Sequence, residues 1–232
     1  MFLYNESGKK FEIDDSRENM INHGCCGEIY KYKNDCVKLY YIILYYGLSL
    51  SDGKISKKVF ETLKEIDSDY FVKLKDLLYP EGLREFSAYT MKYYSAEELN
   101  ILDLDTEYTL YMFHEYLRLF NEFSEKKIIA EDVKRNNTIY DGKNLILIDP
   151  DLFYFSNNVE YCKISNYNRL LQLFRSIYLE EVKKILYLDY SKNSFTDLGE
   201  LFNLEMGPNM DNELSKKLKK YKYPREYFKS RK

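Results

Sequence analysis

The sequence predicts an α+β fold in two parts, and three observations predict it. Runs rich in β-branched and aromatic residues, broken by turn residues, occupy positions 17–93 and leave room there for one amphipathic helix. Two longer stretches, from about Thr106 to Lys126 and from about Ser165 to Leu188, repeat apolar residues at helical spacing. Between them, Ile128 to Asp151 reads as apolar run, acidic loop, apolar run, tight turn, apolar run and acid.

Composition narrows the classes of function. A chain of 232 residues, 45% hydrophobic and 31% charged, has the balance of a soluble globular protein of one domain or two small lobes. A net charge of −3 and a pI near 5.7 argue against wholesale nucleic-acid binding. Tyr occurs 25 times and Trp not at all, which reads as coding bias before stacking chemistry. Cys25, Cys26, Cys36 and Cys162 lack metal-ligand spacing, and Met1 to Glu6 carries no secretory signal. Free thiols in a reducing cytoplasm are therefore expected. The most apolar window, Leu39 to Leu50, is too short to cross a bilayer, so no membrane insertion is expected.

Taken in order, residues 1–16 suggest no element. From Ile21 the chain reads Ile-Asn-His-Gly-Cys-Cys-Gly-Glu-Ile-Tyr-Lys, with Gly24 and Gly27 spaced to let backbone amides approach a phosphate. Lys38 then sits in an apolar strand, Val37 to Ile42, where a buried ammonium needs a partner or an exit to water. Gly53 to Ile66 is an amphipathic helix with Ile55, Val59, Leu63 and Ile66 on one stripe. Phe71 to Leu78 and Glu85 to Tyr93 are strands broken by Pro80-Glu81-Gly82. Ser95-Ala96-Glu97-Glu98 carries a capping-box pattern. In the helix after it, Leu110, Phe113, Leu117, Phe120 and Phe123 face the core, with His114 beside them as a partly buried structural histidine. The last helical stripe is Leu170, Leu171, Phe174, Ile177, Tyr178, Val182 and Ile185. Residues 216–232 form a basic tail interleaved with Tyr221, Tyr223, Tyr227 and Phe228; it is either a solvated terminal helix or a surface for nucleic acid or an acidic partner.

The central stretch carries the chemistry. Asp141-Gly142 is a hairpin-turn signal between Thr138-Ile139-Tyr140 and Leu145-Ile146-Leu147-Ile148. Asp132 and Asn137 precede the first strand, and Asp149 follows the second. Two carboxylates and an amide carbonyl make an oxygen site for a hard cation such as Mg²⁺. Here the residues resemble the protein-kinase superfamily. Asp132-Val133-Lys134-Arg135-Asn136-Asn137 is similar to its catalytic loop, D-x-K-x-x-N, and Asp149-Pro150-Asp151 to its metal-binding D-F-G turn. The glycine segment resembles the G-x-G-x-x-G-x-V loop, with Asn22 at the first glycine and Ile29 at the valine.

That resemblance implies a bilobal protein-kinase-like fold over residues 1–232. Its N-lobe, residues 17–93, would be a five-stranded antiparallel sheet with one helix; its C-lobe, residues 94–232, would be reduced and mainly helical. ATP and Mg²⁺ are the implied cofactors. Gly24, Gly27 and Ile29 would cover the nucleotide, Lys38 would hold its α- and β-phosphates, and Met91 and Tyr93 would lie at the adenine hinge. Asn137 and Asp149 would bind the metal, Asp132 would orient or deprotonate the acceptor hydroxyl, and Lys134 would offset charge on the transferred phosphoryl group. Glu61 is the helix acid nearest the position that pairs with the strand lysine, although the family register falls on Val59. Ala130 and Glu131 replace the family's His and Arg, so control by loop phosphorylation is not expected. The acceptor is a protein hydroxyl, as Lys134 suggests, or a small molecule of the aminoglycoside type, as the missing A-P-E platform suggests. A third reading is a catalytically inactive binding module.

Overall fold

The computed structural model describes residues 1–24, 26–41, 53–95 and 106–186. The Ser95–Glu98 capping box in part, the Leu39–Leu50 window in large part and the basic tail entirely lie outside these residues. The protein is mixed α+β, and the chain divides into two compact units, Met1–Ser95 with Ile148–Phe155, and Ala96–Leu147 with Ser156–Lys232.

The first unit is built on a five-stranded sheet. Strands β1 (Phe2–Tyr4) and β2 (Lys10–Glu12) form a separate hairpin. Strands β3 (Met20–His23), β4 (Gly27–Tyr32), β5 (Asp35–Tyr40), β6 (Leu74–Leu78) and β7 (Ala88–Lys92) follow, in the spatial order β3-β4-β5-β7-β6. Every neighbouring pair is antiparallel. The two strands expected over Phe71–Leu78 and Glu85–Tyr93 form over Leu74–Leu78 and Ala88–Lys92, while Phe71 and Val72 ahead of the first are buried without joining the strand.

Residues 1–16, which suggested no element, fold as the β1–β2 hairpin. Three-residue strands carry little signal of their own, and tertiary packing supplies the rest. Leu3, Phe11 and Ile13 pack with Tyr30, Val37, Leu39, Leu78 and Ala88 as one buried cluster. Reciprocal backbone bonds between Tyr4 and Tyr79, at 2.9 and 2.8 Å, tie the hairpin to the sheet.

Helix α1 (Lys57–Lys64) starts where Ser56 caps the Val59 amide at 3.3 Å. Its expected stripe, Ile55, Val59, Leu63 and Ile66, is buried throughout, and Phe60 packs against Tyr89 with ring centroids 5.6 Å apart.

In the second unit, α2 (Thr106–Glu125) leads to the two-residue strand β8 (Ile128–Ile129). Strands β9 (Thr138–Tyr140) and β10 (Leu145–Leu147) pair antiparallel, and α3 (Val159–Leu186) follows; the short strand β11 (Tyr154–Phe155) belongs to the first unit. Phe113, Phe120 and Phe123 of α2 are buried, as is Phe174 of α3, which meets Phe113 edge-on at 5.4 Å. Two expectations are corrected. His114 is exposed, because it projects beside the buried stripe instead of into it. Helix α3 starts six residues earlier than Ser165, since the Asn158 side chain accepts from the Tyr161 amide at 3.0 Å and starts the helix there. Among the described residues no helix is long and apolar enough to cross a membrane.

Candidate functional site

Strand pleating sets the first cluster. On β5, Val37 and Leu39 point into the cluster beneath the N-terminal hairpin, so Cys36, Lys38 and Tyr40 take the opposite face. Lys38 is registered against Ile29 on β4 and Tyr89 on β7, which puts Ile29, Lys38, Tyr89 and Tyr40 on that same face. Lys38 is 5% exposed. An ammonium this buried requires charge compensation.

The turn after β10 supplies it. Nζ of Lys38 lies 2.5 Å from Oδ1 of Asp149 and 2.7 Å from Oδ2 of Asp151. The side chain of Asp149 is 37% exposed and that of Asp151 only 4%. Asp151 also accepts from the hydroxyls of Tyr40 at 2.8 Å and Tyr89 at 3.2 Å, both on Oδ1. The turn is fixed by the Phe153 amide donating to the Pro150 carbonyl at 3.0 Å, and by Phe153 stacking on Phe71 at 6.2 Å. Burial pulls the Lys38 ammonium down, but attraction to Asp151 and Asp149 outweighs it, and its pKa is raised. Burial raises the Asp151 carboxyl, against the opposing pull of Lys38. Burial, with Asp151 adding to it, also holds the phenols of Tyr40 and Tyr89 well above their ordinary value.

The second cluster is the loop between β8 and β9. Asp132 Oδ1 lies 2.8 Å from Nζ of Lys134, and the Asn137 amide donates to Asp132 Oδ2 at 3.0 Å and to its carbonyl at 2.9 Å. Both carboxylate oxygens of Asp132 are thus oriented. With its amide nitrogen committed, Asn137 keeps the carbonyl Oδ1 as its acceptor end. Asn166 of α3 fixes the start of the loop: its Oδ1 accepts from the Ala130 amide at 2.9 Å, and its Nδ2 donates to the Ile128 carbonyl at 2.8 Å and Ser124 Oγ at 2.9 Å. Glu131 pairs with Arg169 of the same helix.

Asp132 and Asp149 share an uncommon backbone conformation, with φ of 57° and 61°. Left-handed φ at a non-glycine residue costs of order 1 kcal/mol and persists where surrounding structure over-determines it, which is frequent at functional sites. The hairpin joining them forms as expected. Thr138, Ile139 and Tyr140 pair with Leu147, Ile146 and Leu145, and Asp141 Oδ1 accepts from the amides of Lys143 and Asn144 at 2.9 and 2.7 Å.

Other sequence-predicted residues fall elsewhere. Gly24 lies in the β3–β4 turn with open space where a Cβ would stand, whereas a Cβ on Gly27 would lie 2.1 Å from the Leu39 carbonyl oxygen. Gly27 is thus demanded by strand packing, whatever it binds. Met91 is a buried strand residue registered against both Cys36 and Leu74, so its backbone belongs to the sheet ladder; half-buried Tyr93 just beyond β7 packs its ring against the Lys31 ammonium at 5.5 Å. Glu61 is not brought to Lys38. It lines a groove of about 200 Å³ with Asn5, Glu6, Ser7, Lys64, Asp76 and Leu77. Val59, at the family register, is buried in the core. The physical reason is the helix period: two residues amount to about 200° of rotation, which turns Glu61 off the buried face.

Sequence reasoning missed Asp151 and Asn166. The acid of Asp149-Pro150-Asp151 was in view, but its burial against two tyrosines depends on contacts 111 and 62 positions away. Asn166 carried no signal beyond being an amide on an otherwise apolar helix face.

Among the described residues no group of three or more His, Cys, Asp or Glu side chains gathers as a metal site. Scanned against models of known families and against curated protein sequences, the chain matches none.

Proposed function

We propose that this protein is an ATP-dependent phosphotransferase with a protein-kinase-like bilobal fold, transferring the γ-phosphoryl group of ATP to a hydroxyl. The observation that carries the reading is the 2.5 Å contact between Nζ of Lys38 and Oδ1 of Asp149, residues 111 positions apart. A lysine of an inner sheet strand meeting the acid of the metal turn is the pairing that phosphate and metal binding require of those two residues. The left-handed φ at both Asp132 and Asp149 supports the same reading.

In this reading Lys38 uses two of its three N–H groups on Asp149 and Asp151 and directs the third to the α- and β-phosphate oxygens. Asn137 in the second unit and Asp149 in the first each carry an oxygen donor of the kind Mg²⁺ takes, and that ion would supply positive charge against the phosphates. Asp132, held at both oxygens by Lys134 and Asn137, orients the acceptor hydroxyl and takes its proton as the bond to phosphorus forms. Lys134 remains beside it to offset charge on the transferred group. Gly24 lets the β3–β4 turn approach the phosphates.

Lys134, two residues after Asp132, favours a protein hydroxyl as acceptor. A small-molecule acceptor is the second reading, favoured by the short link from the metal turn: α3 starts at Val159, only ten residues after Asp149.

Thermal denaturation with ATP and Mg²⁺ tests the proposal. At a hundredfold excess over Kd the ligand adds about 2.7 kcal/mol, a rise of roughly 5 to 10 °C for a chain this long. Asp149→Ala is expected to abolish most of that rise, and no stabilisation of the wild type would overturn the reading. Labelled ATP then separates the acceptors: label on protein supports the first, and label on added metabolites the second.

A further inference from the structure

Helix α1 offers Lys38 no acid. Val59 stands buried at the register where one is expected, and Glu61 lines a groove with Glu6 and Asp76. Yet a lysine 5% exposed inside a sheet keeps its charge only with a partner that is itself held in place. Asp151 has the required features. Its side chain is 4% exposed, its Oδ2 lies 2.7 Å from Nζ, and its Oδ1 accepts from the hydroxyls of Tyr40 and Tyr89. One oxygen is thus committed to orientation and the other to the ammonium. The two tyrosines share the face of Lys38 by register, Tyr89 directly across from it and Tyr40 two residues along. The same face that exposes Lys38 to the turn therefore also builds the cradle for Asp151.

Resting on the phosphotransferase reading, we infer that Asp151 is the positioning residue for the phosphate-binding Lys38, taking over from the metal turn the task a helix glutamate would perform. Asp149 and Asp151 then divide the turn's work. The half-exposed acid serves the metal, and the buried acid aims the lysine. The Phe153–Pro150 bond holds the turn, so Lys38 is aimed by the same short segment that carries Asp149.

Amine acylation read by mass spectrometry tests the anchor directly. Lys54, whose ammonium is held by the Phe86 carbonyl at 2.5 Å in the same unit, serves as the internal control. Asp151→Asn keeps the shape and can still accept from the tyrosines while losing the charge. It is expected to raise acylation of Lys38 on the order of tenfold with Lys54 unchanged. Titration with Mg·ATP and with adenosine reads the consequence: Asp151→Asn weakens ATP on the order of tenfold and adenosine less than about twofold, and Asp151→Glu recovers part of the loss. Lys38 acylation unchanged, an equal rise at Lys38 and Lys54, or equal weakening of ATP and adenosine overturns the inference. If Asp151→Asn does not fold, Tyr40→Phe and Tyr89→Phe each remove one hydroxyl that orients Asp151; a severalfold rise in Lys38 acylation supports the anchor and no rise overturns it. A wild-type protein that binds neither ATP nor adenosine overturns the phosphotransferase reading, and the acylation result still decides whether Asp151 holds Lys38.

Discussion

Gly24 and Gly27 stand three positions apart and answer to different constraints. A methyl group on Gly27 would drive into the Leu39 carbonyl oxygen, so Gly27→Ala must separate β4 from β5. The expected cost is about 1–3 kcal/mol, read as a lower denaturation midpoint. Gly24→Ala meets open space and is expected to change stability by less than about 0.5 kcal/mol. Any loss of ATP affinity in Gly24→Ala therefore reports on binding alone, and a Gly24→Ala protein as unstable as Gly27→Ala would contradict this separation. The lysine–aspartate pair follows similar logic. Lys38→Met leaves Asp151 buried without its counter-charge, at an expected cost of about 3–5 kcal/mol near neutral pH. Adding Asp151→Asn removes the orphaned charge and is expected to restore more than half of that loss. Additive losses in the double variant would show that the two side chains do not act as a pair.

At the scale of elements, what the sequence revealed depended on how local the cause is. Asp141-Gly142 fixes its hairpin through bonds within four residues, and Ile55, Val59, Leu63 and Ile66 mark the buried face of α1 by spacing alone; both were legible. The β1–β2 hairpin was not, because Leu3 and Phe11 gain their burial from Tyr30, Val37 and Leu78, far along the chain. The second acid that meets Lys38 was not legible for the same reason: the helix register placed Val59 and Glu61, whereas the burial of Asp151 by Tyr40 and Tyr89 depends on distant contacts. Asn166 is the third such case, and it makes its own prediction. It satisfies the Ala130 amide, the Ile128 carbonyl and the Ser124 hydroxyl, all buried. Asn166→Ala strands two backbone groups and is expected to cost about 2–4 kcal/mol. Asn166→Asp keeps an acceptor for Ala130 but loses both donors and brings a charge into a buried place, so it should be no better. A urea midpoint for Asn166→Ala within error of the wild type would refute this role for the α3 amide.

Across the whole molecule, burial of weak acids predicts how stability changes with pH. Burial, with Asp35 adding to it and Lys75 opposing, pushes the Cys36 thiol from its ordinary 9.0 up to about 12. Burial and then Glu28 push the Tyr30 phenol from 10.0 to about 12. Burial also holds Tyr40 and Tyr89 in the first unit, and Tyr116 in the second, well above 10.0. The sign follows from linkage. A raised folded value means that the unfolded chain loses these protons first, so their contribution is complete below about pH 9 and is lost as pH rises towards 12 and beyond. Each group adds a slope of roughly 1.4 kcal/mol per pH unit once pH exceeds its unfolded value. Thermal melts from pH 7 to 12 should therefore show Tm level to about pH 9 and then falling steeply, with Cys36 inert to thiol reagents until the fall begins. Tyr116→Phe removes one of these groups and should flatten the slope above pH 10 relative to the wild type, whatever its effect at pH 7. A Tm constant through pH 12, or a Cys36 that reacts at pH 8 in the folded protein, would mean that the core does not exclude water around these side chains as their burial requires.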